Sequence, residues 1–253
     1  LPRSLGVTTA GTGAGVVTSS PAGIDCGADC AEDYEHGAMV TLTATPDGAT
    51  SSFAGWSGAC TGAAPTCVVA MTEARMVSAT FDLLPRTLDV AIEGTGSGAV
   101  TSAPAGIACA GDCTEDFPHG TMVTLTAAPV TGSSFGGWSG ACAGTSPTCT
   151  VTMTAARRAT ATFTLDRHRI GVAVSGTGAG TVTSSPAGID CGADCDETWD
   201  YGTSVTLTAR PATGSAFTSW SGGGCSGGIP TCTVSVTAAA TVTATYAITQ
   251  RAL

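Results

Sequence analysis

Val40-Thr41-Leu42-Thr43-Ala44 alternates apolar residues with threonine. The chain repeats the phrase at Val123-Thr124-Leu125-Thr126-Ala127 and Val205-Thr206-Leu207-Thr208-Ala209. A strict period of two sends Val, Leu and Ala to one face and the β-branched threonines to the other, the pattern of a half-buried strand. Pro46, Pro129 and Pro211 end the alternation each time. Working outward, every neighbouring feature also comes in threes. Trp56, Trp138 and Trp220 recur every 82 residues, each three residues after a Phe and two before a Gly. A last alternation, Val77-Ser78-Ala79-Thr80-Phe81, has copies ending at Phe163 and Tyr246.

Upstream, each unit opens on Leu5/Val7, Leu88/Val90/Ile92 or Ile170/Val172/Val174, followed by Gly-Thr-Gly at 11–13, 94–96 and 176–178. A phosphate-binding glycine loop requires a helix directly after it. Val16-Val17-Thr18-Ser19 and its copies read as strands instead, so a hairpin turn is expected. No helical period of ten residues occurs. The nearest helical candidates are short turns at Thr72–Arg75 and Ala155–Arg157. Six or seven short strands per unit, punctuated by Gly and Pro, give the expected class: all-β. It comprises three tandem small β-sandwich or barrel-like modules in an extended rod, at 1–83, 84–165 and 166–253. About six residues separate Phe81 from Leu88 and Phe163 from Ile170, which favours semi-rigid joints. Leu1-Pro2-Arg3-Ser4-Leu5 matches the junction Leu84-Pro85-Arg86-Thr87-Leu88, and Leu253 falls where Leu5, Leu88 and Ile170 fall. The chain is therefore expected to be a window on a longer array.

Twelve cysteines stand four to a unit, in pairs of unchanged internal spacing: Cys26/Cys30 and Cys60/Cys67, Cys109/Cys113 and Cys142/Cys149, Cys191/Cys195 and Cys225/Cys232. An all-cysteine zinc site favours tighter Cys-x2-Cys pairs. Disulfides are expected, and with them an extracellular or cell-surface address. Four cysteines allow three connectivities, of which the local pairs are favoured. Each small loop would restrict the unfolded chain by about 2–2.5 kcal/mol on the loop-entropy estimate, useful to units at the size where one core is marginal.

A net charge of −10, with nine Arg and no Lys, argues against nucleic acid as a partner. No apolar run approaches the ~18 residues of a membrane span. Without Lys or Asn there is neither a Lys–Asn isopeptide bond nor an Asn-linked glycan site. Abundant Thr leaves O-linked glycan open. The candidate calcium ligands are Asp25, Asp29, Asp190 and Asp194, carboxylates on a cysteine-pinned loop. Unit 2 has Ala108 at the first of these positions, and a solvated acidic edge that deters aggregation is the expected reading, with no metal and no cofactor. Trp56, Trp138 and Trp220, flanked by Phe and Gly, are expected as core aromatics in preference to glycan-stacking platforms. His36 and His119 share a position that His168 does not, and no Ser/His/Asp set recurs, so no catalytic residue is assigned. Leu84-Pro85-Arg86-Thr87 begins like a sortase signal, but Leu88 replaces the Gly and no membrane tail follows.

At Gly-x-x-Val-Thr-Leu-Thr-Ala-x-Pro, Phe-x-x-Trp-Ser-Gly and Val-x-Ala-Thr-Phe the chain resembles the divergent internalin-B-type B-repeats, the bacterial repeat domains of large secreted and surface proteins. The resemblance covers essentially the whole chain, three times. It implies compact β modules in tandem that serve as stalks, spacers or adhesive surfaces, and no catalytic residues. The chain departs from it in its four cysteines per unit and in lacking the helix of the β-grasp fold. The expected role is a structural, non-catalytic segment of an extracellular bacterial fibre, filament or stalk, with self-association or neighbouring repeats as partners. The alternatives are an adhesin region contacting glycan or a host surface, and the spacer of a larger secreted enzyme.

Overall fold

The computed structural model describes residues 1–249, which form strands joined by bridges, turns, bends and irregular segments, with no helix among the described residues. The expected register of Leu253 lies outside the described residues. Module 1 runs β1 (Arg3–Ala10), β2 (Gly15–Ser20), β3 (Asp25–Cys26), β4 (Ala31–Tyr34), β5 (Met39–Pro46), β6 (Ser51–Gly58), β7 (Thr66–Ala70) and β8 (Arg75–Leu83). Two four-stranded sheets result, ordered β4-β1-β8-β6 and β3-β2-β5-β7. Their strands do not pair across, so the module is a sandwich and not a barrel.

Module 2 repeats this with β9 (Pro85–Gly94), β10 (Gly98–Ala103), β11 (Ala108–Cys109), β12 (Thr114–Pro118), β13 (Met122–Pro129), β14 (Ser133–Gly140), β15 (Thr148–Thr152) and β16 (Arg157–Leu165). Module 3 has β17 (Arg167–Gly176), β18 (Gly180–Ser185), β19 (Asp190–Cys191), β20 (Asp196–Asp200), β21 (Ser204–Pro211), β22 (Ser215–Ser221), β23 (Thr231–Ser235) and β24 (Ala240–Ile248). Sheet orders are the same in all three.

The alternating strand is β5, β13 and β21, and it faces as its period requires. Val40, Leu42 and Ala44 are buried, as are Val123, Leu125 and Ala127, while the threonines between them stay partly or fully exposed. Opposite stand Leu5, Val77, Ala79 and Phe81, all buried in the same core. The small Ala79 leaves room for the aromatics: Phe53 lies 5.1 Å from Trp56 and 5.6 Å from Phe81, centroid to centroid. Trp56, Trp138 and Trp220 are buried, and Tyr34, Phe117 and Trp199 fill the other end of each core.

Three expectations need revision. The Gly-Thr-Gly segments are not hairpin turns. They carry the chain from the first sheet to the second, since β1 and β2 belong to different sheets. Glycine is required there because the crossing chain presses on the last strand: a Cβ on Gly11, Gly94 or Gly176 would collide with the carbonyl oxygen of Phe81, Phe163 or Tyr246, and each has a positive φ near +100°. The segments at 72–75 and 155–157 are bends leading into β8 and β16. Each module has eight strands rather than six or seven, because two-residue strands such as Asp25–Cys26 leave no periodic trace.

The first and last strands of each module lie side by side and parallel at the centre of the first sheet. β1 pairs β8 from Leu5↔Arg75 to Ala10↔Thr80, β9 pairs β16 from Leu88↔Arg157 to Gly94↔Phe163, and β17 pairs β24 from Ile170↔Ala240 to Gly176↔Tyr246. All other pairings are antiparallel among the described residues.

Leu125→Ala is expected to cost about 2–5 kcal/mol as a core truncation, and Thr124→Ser to stay within about 0.5 kcal/mol as a surface change. Urea unfolding of both variants checks this; equal small effects would show that β13 is faced wrongly.

Candidate functional site: module junctions and sandwich sides

The joints are tighter than a six-residue linker. β8 ends at Leu83 and β9 begins at Pro85; β16 ends at Leu165 and β17 begins at Arg167. A single residue stands between modules, and its backbone is hydrogen-bonded in both directions. The Leu84 N–H donates to the Thr50 carbonyl of module 1 at 2.8 Å, and the Leu84 carbonyl accepts from the His119 N–H of module 2 at 2.8 Å. Asp166 repeats this relay, donating to Gly132 at 2.9 Å and accepting from Tyr201 at 2.8 Å. Thr249 donates to Gly214 at 2.9 Å, the same bond at the corresponding place in module 3.

Side chains reinforce each joint differently. At the first, an Arg86 Nη donates to the Ala49 carbonyl at 2.8 Å. At the second, the Tyr201 ring covers Gly132 so closely that any Cβ there would overlap it, and His168 meets the Tyr201 ring edge at 6.2 Å. Just past the second joint, within module 3, ion pairs tie β17 to β20: Arg167–Asp200 at 3.1 Å, and Arg169 with Asp196. The Arg169 hydrogen bond holds the Asp196 carboxyl below its usual range and raises the guanidinium in turn. Both side chains remain open to solvent, so the pair fixes orientation more than stability. Within module 3, burial pushes the Tyr246 phenol above its ordinary value; its hydroxyl donates to the Thr181 carbonyl at 2.8 Å.

The cysteines are brought together in local pairs, with Cα separations of 4.2–4.4 Å for Cys26–Cys30, Cys109–Cys113 and Cys191–Cys195. The separations are 5.8–6.2 Å for Cys60–Cys67, Cys142–Cys149 and Cys225–Cys232. Although local in sequence, each pair joins the two sheets. Cys26 lies on β3 of the second sheet and Cys30 directly precedes β4 of the first. Cys60 follows β6 of the first sheet and Cys67 lies on β7 of the second. One bridge therefore closes each open side of the sandwich.

The two sides differ in charge. Asp25 and Asp29 sit on the β3 side, where the Asp25 N–H donates to the Asp29 carbonyl at 2.9 Å and an Asp29 carboxylate oxygen accepts from the Ala31 N–H at 3.3 Å. Asp190 and Asp194 are arranged the same way. The Asp29 and Asp194 carboxylates thus cap a turn. Among the described residues no group of three or more His, Cys, Asp or Glu is placed to hold a metal ion. Next to them, β4, β12 and β20 carry Glu32, Glu115 and Glu197, each paired in register with the core residue Leu5, Leu88 or Ile170.

Trp56, Trp138 and Trp220 lie on the other side, their N–H groups bonded to Gly62, Gly144 and Gly227 at 2.8 Å. The indole Nε1 of Trp56 donates to Ala64 at 2.8 Å and that of Trp220 to Ile229 at 3.0 Å. All three rings are buried, and the Trp138 Nε1 is buried without a hydrogen-bond partner. His36 and His119 occupy equivalent turns after the β4-type strand, and His168 lies on β17. The relay residues Leu84 and Asp166 carried no sequence signal, because backbone atoms do the work and their side chains differ. Gly132 and Gly214, in matching Thr-Gly-Ser steps, were the available clue.

The divergent InlB B-repeat domain family matches residues 5–84, 88–167 and 170–250. No curated protein matches the chain by sequence. Among solved structures, the Bacillus anthracis TIE protein aligns over 99% of this chain and 51% of its own at a TM-score of 0.56 and 7% identity, a likeness of fold alone. The pilus adhesin SpaC from Lactobacillus rhamnosus GG aligns at a TM-score of 0.34 and 7% identity, over 100% of this chain and 44% of its own. The major pilin protein (T-13) from Streptococcus pyogenes aligns at 0.31 and 10%, over 65% of this chain and 97% of its own. Those two scores are too low to carry an argument, and the chain spans about half the length of the first two structures.

Non-reducing digestion with mass spectrometry should return Cys109–Cys113 and Cys142–Cys149 and no peptide joining two modules. Bridges between modules, or free thiols throughout, would contradict the arrangement of the sandwich sides.

With three matched segments covering nearly all of its length, the chain belongs to the divergent InlB B-repeat domain family, in three tandem copies.

Proposed function

We propose that the three modules form a tension-bearing segment of an extracellular bacterial stalk or fibre, without catalysis of their own. The observation that carries this reading is the parallel pairing of the first and last strand in every module. In a parallel pair the chain enters at one end of the ladder and leaves at the other. Tension along the chain then shears the paired positions together instead of peeling them one at a time. The relay residues Leu84 and Asp166 place these units in series, so the strand leaving one ladder feeds the next.

Three further features support the reading. Membership in a repeat family of surface and secreted proteins suits a segment that supplies length. Two cysteine pairs per module suit an oxidising location. Neither pair spans the β1–β8 ladder, so the bridges leave it free to act as the mechanical element.

Pulling the chain from its ends in a single-molecule force experiment tests this. Three discrete events of equal contour gain are expected. Reduction should lengthen each gain by about 30 Å, the extended length of loops of sequence separation 4 and 7 less their bridged spans. Gradual yielding without discrete events would contradict the role.

A further inference from the structure

Each sandwich has four edge strands, and three are guarded. The β4-type edge carries the inward-leaning Glu32, Glu115 or Glu197, and the β3-type edge is two residues long and ends in a cysteine turn. The β6-type edge is bulged at Phe53/Gly55 and covered by its own loop through the Trp56–Gly62 bridge. Short strands, inward charges, bulges and covering loops are the usual means of blocking strand addition.

The fourth edge, β7, β15 and β23, has none of these. Its sequences Thr66–Ala70, Thr148–Thr152 and Thr231–Ser235 contain no charge and no proline. Bonds from Ala127 N–H to the Pro147 carbonyl and from Met153 N–H to the Thr121 carbonyl set the ladder's parity, so odd-numbered residues of β15 face β13. The N–H and C=O groups of Thr148, Thr150 and Thr152 therefore point outward. The Thr148 N–H donates to Ser146 Oγ at 3.4 Å, and the Thr152 carbonyl accepts from the Thr154 N–H at 3.0 Å, as that of Ala70 does from the Thr72 N–H. The central Thr150 and Val68 are thus the residues that present both groups. The same parity turns out those of Thr66, Val68 and Ala70 and of Thr231, Thr233 and Ser235. In module 2 a groove runs along this edge, lined by Ala141, Thr150, Thr152 and Arg157; in module 3 one is lined by Gly223, Thr233, Ser235 and Ala240.

We propose that this edge pairs with the same edge of a second copy of the chain, antiparallel, joining two stalks side by side. The edge is self-complementary: a two-fold axis at Val68, Thr150 or Thr233 opposes two residues whose N–H and C=O groups both face out, the geometry of a hydrogen-bonded antiparallel pair. Charge favours a like copy on this side alone. The acidic edge lies three strands away in the sheet order β11-β10-β13-β15, about 14 Å at ordinary strand spacing. That exceeds the Debye length of about 8 Å at physiological ionic strength. Two chains of net charge −10 can thus meet at edge strands that carry no charge, with Arg157 beside the module 2 edge, while their acidic sides stay apart, which limits the assembly to a pair. Three equivalent edges per chain offer further contacts once the first has paired. The edge exists whether or not the modules bear tension, so this inference stands apart from the mechanical reading.

Sedimentation equilibrium of the full chain tests it. A concentration-dependent dimer is expected, tighter at physiological than at low salt. The triple substitution Val68→Pro, Thr150→Pro and Thr233→Pro removes outward N–H groups, which an edge strand tolerates, together with the exposed hydroxyl contacts Thr124–Thr150 and Thr206–Thr233. It should weaken the dimer at least about tenfold. A second set, V68K/T150K/T233K, places charge on the edge without touching the backbone and should act in the same direction. Unfolding midpoints identify any variant that has lost its fold. A chain still monomeric at about 1 mM, or a dimer unmoved by folded variants of either set, overturns the proposal.

Discussion

Parallel pairing of the first and last strand is the constraint on which the rest of each module depends. It places the two strands that join neighbouring modules at the centre of one sheet, with β4 and β6 added outside them. Because the two strands run the same way, they cannot be joined by a hairpin, and between them the chain passes back and forth between the two sheets, crossing six times. The crossing at Gly11–Gly13 is pressed against Phe81, the final core residue of the partner strand. The glycines, the aromatic core and the exit strand thus form one contact, which closes only when residues about 70 positions apart have paired. Such long-range ladders are slow to form, because loop-closure entropy precedes the reward.

Opposing that cost in a unit of about 80 residues requires help from outside the core. The cysteine pairs give it in a particular way. Each is local in sequence, so it closes only a small loop, yet its two ends belong to different sheets. A sandwich is weakest at its open sides, where the sheets part, and one bridge sits at each. The sides then diverge: one gathers the acidic residues, the other the Trp loop and the uncharged edge.

The sequence disclosed whatever has a short period. Alternation in Val40–Ala44 placed the core face, because a strand's facing depends only on parity. The unchanged cysteine spacings pointed to local pairs, and the Phe-x-x-Trp steps to buried aromatics. Parallel pairing left no trace, since no local pattern distinguishes a parallel from an antiparallel neighbour. The glycine crossing was mistaken for a hairpin for the same reason: strand, Gly-x-Gly, strand reads alike whether the second strand returns beside the first or moves to another sheet. Pro85 and Arg86 looked like linker, although proline is acceptable as the first residue of a strand. The junction relay was invisible because it uses backbone atoms of Leu84 and Asp166, whose side chains have nothing in common.

If the parallel ladder is the element on which each module depends, its amides should open last. Native-state hydrogen exchange followed by NMR reads this directly. The account predicts that amides of the β9–β16 ladder, such as Ala91, Ala159 and Ala161, exchange only through global unfolding of their module, with protection matched in modules 1 and 3. Amides of the outer strands and the cysteine turns should exchange through smaller openings. Ladder amides that exchange at the rate of the edges, while the cysteine turns remain the most protected part, would contradict it.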